Sequence, residues 1–198
     1  MATWINPYQV WLTEAQSLSN TANIFSYFKV AGTDWTDESL AAMCGNIGIE
    51  SSVNPNMYEY GYAWEDDRGF GLVGWTPRSK YWNWAVNLGY TEGEIRSGDV
   101  QLERIQYEID TGIQWQMNYD YTQTFAEFRA NSGNWTLDEL TEMFCWCYEN
   151  PLYSAGVSSM PRRKAFAHLV YNTYGGGQVQ PPSGKIKKRY IHVSRKTF

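Results

Sequence analysis

The sequence is short of the residues that metal, redox and nucleophile chemistries need. It has 3 cysteines and 2 histidines among 198 residues. Cys44, Cys145 and Cys147 form an odd set, and the last two lie two apart in a helical pattern, pointing to different faces. That spacing suits neither a zinc cage nor a disulfide framework, so buried free thiols are expected. His168 and His192 show no metal-ligand spacing, and no Ser-His-Asp or Cys-His set has a supporting motif. Gly69-Phe70-Gly71 is too short for a phosphate loop. No metal and no cofactor is expected. No apolar run approaches the length of a membrane span, which argues against membrane insertion. Met1 to Gln16 lacks both the basic and the apolar region of a secretory signal.

Basic charge is scarce outside one short stretch. Residues 175–198 carry Lys185, Lys187, Lys188, Arg189, Arg195 and Lys196 and no acid. The other 174 residues hold 10 Lys and Arg against 21 acids, a net of −11. Phosphate backbones need a basic surface, so the main body is a poor nucleic-acid binder. Gly175-Gly176-Gly177 and then Pro181-Pro182 break the pattern off. The expected organisation is one domain over 1–174 and a Gly/Pro linker with a basic tail over 175–198.

Aromatic residues are abundant, at 17% with 10 Trp and 15 Tyr. Their flat faces with polar edges suit sugar rings, protein interfaces or a large core. The periodicity is mainly helical. Thr13 and Gln16 form a capping box for a helix to about Phe28, and Thr36 caps a second helix with an apolar stripe of Leu40, Met43, Cys44 and Ile47, ending near Ser51 or Ser52. Thr76-Pro77 reads as the start of another, with Gly89 closing it. Further helices are expected over about 98–111, 123–131, 137–149 and 161–173, with Thr136 and Glu139 as a second capping box. Residues 56–75 differ: Tyr58, Tyr60, Tyr62 and Trp64 alternate, and Gly61, Gly69, Gly71 and Gly74 punctuate them. This predicts a small β-hairpin or an ordered loop. The fold class is α+β, mainly α-helical.

The segment Gly45-Asn46-Ile47-Gly48-Ile49-Glu50-Ser51-Ser52-Val53-Asn54-Pro55 carries the chemistry. Glu50 ends an apolar helix just before the aromatic insertion. A carboxyl so placed loses hydration, which favours its protonated form. Glycoside cleavage needs such an acid to protonate the leaving oxygen. Pattern alone also allows a surface acid at a helix end. A second carboxylate could come from Glu59, Glu65, Asp66 or Asp67. Asp67 could face Glu50 from the far strand of a hairpin, or belong to a solvated Glu65–Arg68 turn. Tyr58, Tyr60, Tyr62, Trp64 and Trp75 are candidates for a sugar-binding wall. Trp82, Trp84, Trp135 and Trp146 lie on helices or helix starts and are expected in the core.

Gly45 to Pro55, followed by Gly69-Phe70-Gly71-Leu72-Val73-Gly74-Trp75-Thr76-Pro77, resembles the phage tail lysozyme family and, more widely, lysozymes and soluble lytic transglycosylases. Tyr148-Glu149-Asn150-Pro151 resembles a later family element, and Gly175–Gly177 the linker that can follow the domain. The resemblance spans about residues 10–177. It implies a lysozyme-like fold with a small β lobe, Glu50 as catalytic glutamate, Ser51 as its usual neighbour, and Glu149 among the substrate-binding residues. It implies cleavage of the β-1,4 bond between the amino sugars of peptidoglycan, with glycan strands and other phage tail proteins as partners, in a virion part made in the host cytoplasm. In a transglycosylase the sugar's own 6-hydroxyl attacks, and one carboxyl serves as acid and then base. The family often has Gln where this chain has Gly74. That departure favours the rival reading, a non-catalytic glycan-binding or structural tail module. An endolysin acting from inside the cell has the same chemistry.

Overall fold

The structure, a computed structural model, describes residues 2–29, 34–59 and 65–176. Eight helices occur among them: α1 (Glu14–Phe28), α2 (Asp37–Ser51), α3 (Ser79–Asn87), α4 (Glu92–Ile95), α5 (Gly98–Thr111), α6 (Phe125–Ala130), α7 (Leu137–Phe144) and α8 (Tyr153–Tyr174). A π-helical turn, Cys145–Glu149, extends α7. None of these helices is long and apolar enough to cross a membrane. Thr13, Thr36 and Thr136 cap as expected, Ser97 caps α5, and Thr91 and Thr124 add two further capping boxes.

α2 is the central helix. Leu40, Ala41, Ala42, Met43, Cys44 and Ile47 are all fully buried, so it is apolar around most of its girth. Its largest interface is with α8, and the next with α7. Small residues make the α8 contact possible. A Cβ on Gly45 would lie 2.6 Å from the Arg163 carbonyl oxygen and 2.7 Å from Ala167 Cβ, and one on Gly48 would lie 2.4 Å from the Phe166 ring. Helix propensity alone would favour Ala at position 45 by about 1 kcal/mol. The clash with backbone reverses that sign, because forcing atoms into a packed interface costs about 1–3 kcal/mol. Gly45→Ala is therefore expected to lower stability by up to about 2 kcal/mol, as read by denaturant unfolding.

The chain reverses sharply after α2. Ser52 (φ 52) and Val53 (φ 61) are consecutive left-handed residues, a conformation a β-branched side chain rarely adopts. Surrounding hydrogen bonds hold them there. Ser52 Oγ accepts from Leu12 N, Ser17 Oγ donates to Ser52 O, and Asn20 Nδ2 donates to Val53 O. Asn54 Nδ2 donates to Pro7 O and Val10 O, fastening the N-terminal segment to the same corner.

The expected β-hairpin does not form among the described residues. Only two isolated bridges occur, Tyr58 with Phe70 and Phe70 with Trp75. Tyr58, Phe70, Leu72, Val73 and Trp75 all enter the core instead of alternating between core and solvent. The glycines offer no side chains for cross-strand pairing. Gly71 (φ 84) and Gly74 (φ 60) make a tight turn that only glycine adopts without strain. Gln101 of α5 pins this loop: its Oε1 accepts from Leu72 N and its Nε2 donates to Pro55 O. Tyr60, Tyr62 and Trp64 lie outside the described residues.

Two other expectations need correction. α3 begins at Ser79 rather than at Pro77, because the Thr76 hydroxyl turns back to the Gly74 carbonyl and no side chain caps the helix. The last helix begins at Tyr153, not near 161. Pro161 sits inside it and simply lacks the N–H that would bond to Val157. α8 ends at Tyr174, and residues 177–198, with the basic stretch, lie outside the described residues.

All three cysteines are buried free thiols. Burial pushes Cys145 and Cys147 up to about 12, so both are neutral and inert. Most described aromatics serve the core. Trp35, Trp115, Phe125, Phe128, Phe144 and Tyr148 form one cluster, and Tyr58, Phe70, Trp75, Tyr81 and Trp82 another. Trp82, Trp84 and Trp135 pack partly buried against it, as expected, whereas Trp146 stacks on the exposed Tyr153.

Candidate active site

A cleft of about 590 Å³ opens at the end of α2. Several parts of the chain line it. Glu50 meets the glycine turn at Val73, Gly74 and Trp75; Tyr148 to Leu152 follow α7, with Gln114 and Gln116; and the insertion brings Glu59, Asp67 and Arg68, with Lys80 from α3. A smaller pocket of about 210 Å³ shares Glu50, Glu59, Gly74 and Thr76.

Glu50 lies in the last turn of α2 with its side chain 28% exposed. Arg163, only 3% exposed, donates from Nη2 to Glu50 Oε1 at 2.5 Å. The rest of the guanidinium is fixed: Nε donates to Ser159 Oγ and Nη1 to Asn46 Oδ1. Asn46 is held in turn, its Nδ2 donating to the Ala42 and Thr141 carbonyls. This close α2–α8 approach depends on Gly45 and Gly48. Ser51 Oγ donates to the Leu72 carbonyl, tying the helix end to the glycine turn. A Cβ on Gly74 would lie 3.5 Å from Glu50 Oε2, so glycine leaves that oxygen open toward the cleft.

Glu149 ends the π-helical turn. Its Oε1 is shut off from solvent without a hydrogen-bond partner. Burial first, and then the charge of Glu50, hold this carboxyl well above the usual carboxylate range, against the pull of Arg163. Glu50, Glu149 and Arg163 thus form one electrostatic unit.

Behind the cleft lies Glu108, fully buried on α5. Its Oε1 accepts from Trp75 Nε1 at 3.0 Å and from Arg104 Nε at 2.7 Å, and its Oε2 accepts from the Tyr148 hydroxyl. Burial pushes its carboxyl up, and these donors pull it back. Glu108 thereby joins the glycine turn to the segment that carries Glu149.

The expected aromatic wall changes character. Tyr58 is buried, its ring on Phe70 and its hydroxyl bonded by Arg96 Nη1 at 2.6 Å. Trp75 is 3% exposed and stacked on Tyr81. Both border the pockets but belong to the core, because their polar edges find partners inside. Asp67 lines the cleft, is 78% exposed and lies 3.9 Å from Arg68. Sequence reading missed Arg163 and Glu108. A signal for Arg163 existed: Gly156, Ser159, Arg163, Ala167 and Val170 recur at helical spacing, an arginine on a small-residue face. No group of His, Cys, Asp and Glu side chains that could hold a metal occurs among the described residues.

A helical domain with a carboxyl-lined cleft at the end of its central helix is thus defined. Residues 19–174 match the family model for phage tail lysozymes, and the chain belongs to that family. It is also 34% identical over 166 residues to Morphogenesis protein 1 of Bacillus phage B103. That match covers 84% of this chain and 42% of the relative, so the chain spans less than half the relative's length.

Proposed function

We propose that this domain cleaves the β-1,4 glycosidic bond between N-acetylmuramic acid and N-acetylglucosamine in peptidoglycan, as part of a phage tail that opens the host cell wall during infection. The observation that carries this reading is Glu50 at the end of α2, oriented by the buried Arg163 and open to a cleft that Glu149 also lines. Family membership and the phage relative agree with it. Glu50 is the catalytic acid. The glycosidic oxygen takes a proton as its bond to C1 breaks, and C1 is then attacked by water or by the sugar's own 6-hydroxyl. Other phage tail proteins are the expected partners in the particle. Clearing of purified cell walls embedded in a gel tests the reading; binding without clearing would favour a glycan-binding module, for which Gly74 speaks.

Asp67 is the proposed second carboxylate. Its exposure means that nothing pre-positions it as firmly as Arg163 positions Glu50. Asp67→Asn is therefore expected to slow cleavage by about tenfold or less, below the usual range for losing a positioned acid or base. Steady-state assays on soluble glycan fragments read this directly.

A further inference from the structure

The lining of the cleft is chemically uneven. Its exposed charges come from the insertion and α3. The segment between α5 and α6 and the segment after α7 bring three carboxamides, Gln114, Gln116 and Asn150, beside the apolar Pro151 and Leu152. The fold holds these amides in place. Trp115, between the two glutamines, anchors their segment: its ring stacks on Phe125 at 4.7 Å and its Nε1 donates to the Gln123 carbonyl at 2.6 Å. With Trp115 turned to the core, Gln114 and Gln116 reach the cleft. Gln116 N–H donates to Cys147 O at 2.7 Å and Gln114 Nε2 to Tyr148 O at 3.1 Å, which joins the segment to the π-helical turn. Asn150 closes that turn in the left-handed region (φ 45), with its N–H bonded to Cys145 O at 2.9 Å. Its Nδ2 donates to Gln116 Oε1 at 3.2 Å.

These bonds leave a defined set of groups over. An amide side chain offers two N–H donors and one carbonyl acceptor. Among the described residues, Gln114 and Asn150 spend their nitrogens on partners in the protein and keep their carbonyl oxygens, whereas Gln116 spends its oxygen and keeps its nitrogen. The wall therefore presents acceptors and a donor side by side, next to Leu152, whose side chain is exposed. An acetamido group is the complement of such a wall: it has one N–H, one carbonyl and one methyl.

We propose that Gln114, Gln116 and Asn150, with Leu152, form a subsite for the acetamido group of a bound amino sugar, so that the cleft selects acetylated over deacetylated glycan. The proposal rests on the glycosidase reading and deepens it. The acetamido N–H donates to the Gln114 or Asn150 carbonyl oxygen, its carbonyl accepts from Gln116 Nε2, and its methyl packs on Leu152. An amino sugar without its acetyl group has no carbonyl for Gln116 and no methyl for Leu152. In mildly acidic solution it carries an ammonium ion instead. The carboxyls of the cleft, Glu50, Glu59, Asp67 and Glu149, would attract that cation if charge governed binding. Amide recognition and charge attraction thus predict opposite preferences.

The probes are the N-acetylglucosamine tetramer and its N-deacetylated counterpart, titrated by calorimetry in mildly acidic solution against the full chain carrying Glu50→Gln, so that neither is cut. The acetylated tetramer is expected to bind about tenfold more tightly, the scale of one or two neutral hydrogen bonds at a site open to water. Equal or tighter binding of the deacetylated tetramer overturns the subsite. Gln116→Ala and Asn150→Gly, each added to that protein, remove the two halves of the amide pair. Gln116 is exposed, and glycine adopts the left-handed conformation of position 150 without strain, so the turn persists. Each variant is expected to weaken binding of the acetylated tetramer, leave the deacetylated one as it was, and so erase most of the tenfold preference. Equal weakening of both probes in both variants overturns the proposal, because that is what a merely structural role produces. The preference in a protein whose Glu50-containing form cuts no glycan upholds the subsite and overturns the glycosidase reading. Cleavage of N-deacetylated walls as fast as of acetylated ones overturns the subsite alone.

Discussion

Replacing Glu50 by Gln is expected to lower wall cleavage by about 10²–10⁴-fold, the usual loss on removing a general acid. The amide cannot donate a proton to the glycosidic oxygen, but its oxygen can still accept from Arg163 Nη2. The other two guanidinium contacts, to Ser159 and Asn46, are untouched. Glu50 is partly exposed, so losing its charge costs less than losing a fully buried partner. Stability is expected to drop by no more than about 1.5–3 kcal/mol, the scale of a hydrogen bond to a charged group. Rate and melting temperature measured on the same preparation separate the two effects. Near-normal cleavage by folded Glu50→Gln protein would remove Glu50 from the chemistry.

The largest loss of stability is expected from Glu108→Ala. The wild-type carboxylate satisfies Arg104, Trp75 and the Tyr148 hydroxyl at a site with no access to water. Truncation leaves a buried guanidinium without its partner, and breaking such a pair costs about 3–5 kcal/mol. For a chain of this size that is a fall in melting temperature on the order of 10 °C. Glu108→Gln keeps acceptor capacity on one oxygen and is expected to cost clearly less. A Glu108→Ala protein as stable as wild type would show that Arg104 finds another partner and that the cleft floor is not organised around this carboxyl.

The sequence exposed Glu50 because two local signals coincide there: the end of an apolar helix and the glycine-rich turn that follows. It also exposed the starts of α1 and α7, since a Thr with Glu or Gln three residues on bonds its own backbone and needs no distant contact. What it hid depends on tertiary approach. Gly45 and Gly48 read as odd residues inside a helix until α8 is seen lying against them. Arg163 reads as one of three basic residues in a row, Arg162-Arg163-Lys164, and only α8's packing shows that it alone turns inward. Trp75 and Tyr58 look like ligand-binding aromatics because their polar edges suggest solvent. Glu108 and Arg96 satisfy those edges from elements distant in sequence. The alternating tyrosines suggested a hairpin, but each described aromatic of that stretch had a deeper place to go.

Digestion of purified peptidoglycan, followed by mass spectrometry of the soluble fragments, tests the account most directly. Wild-type protein is expected to release disaccharide-peptide fragments cut between N-acetylmuramic acid and N-acetylglucosamine, ending in a reducing sugar if water attacks and in a 1,6-anhydro sugar if the 6-hydroxyl does. Glu50→Gln protein is expected to release almost none. Intact glycan strands after digestion by folded wild-type protein, or fragments cut only within the peptides, would contradict it.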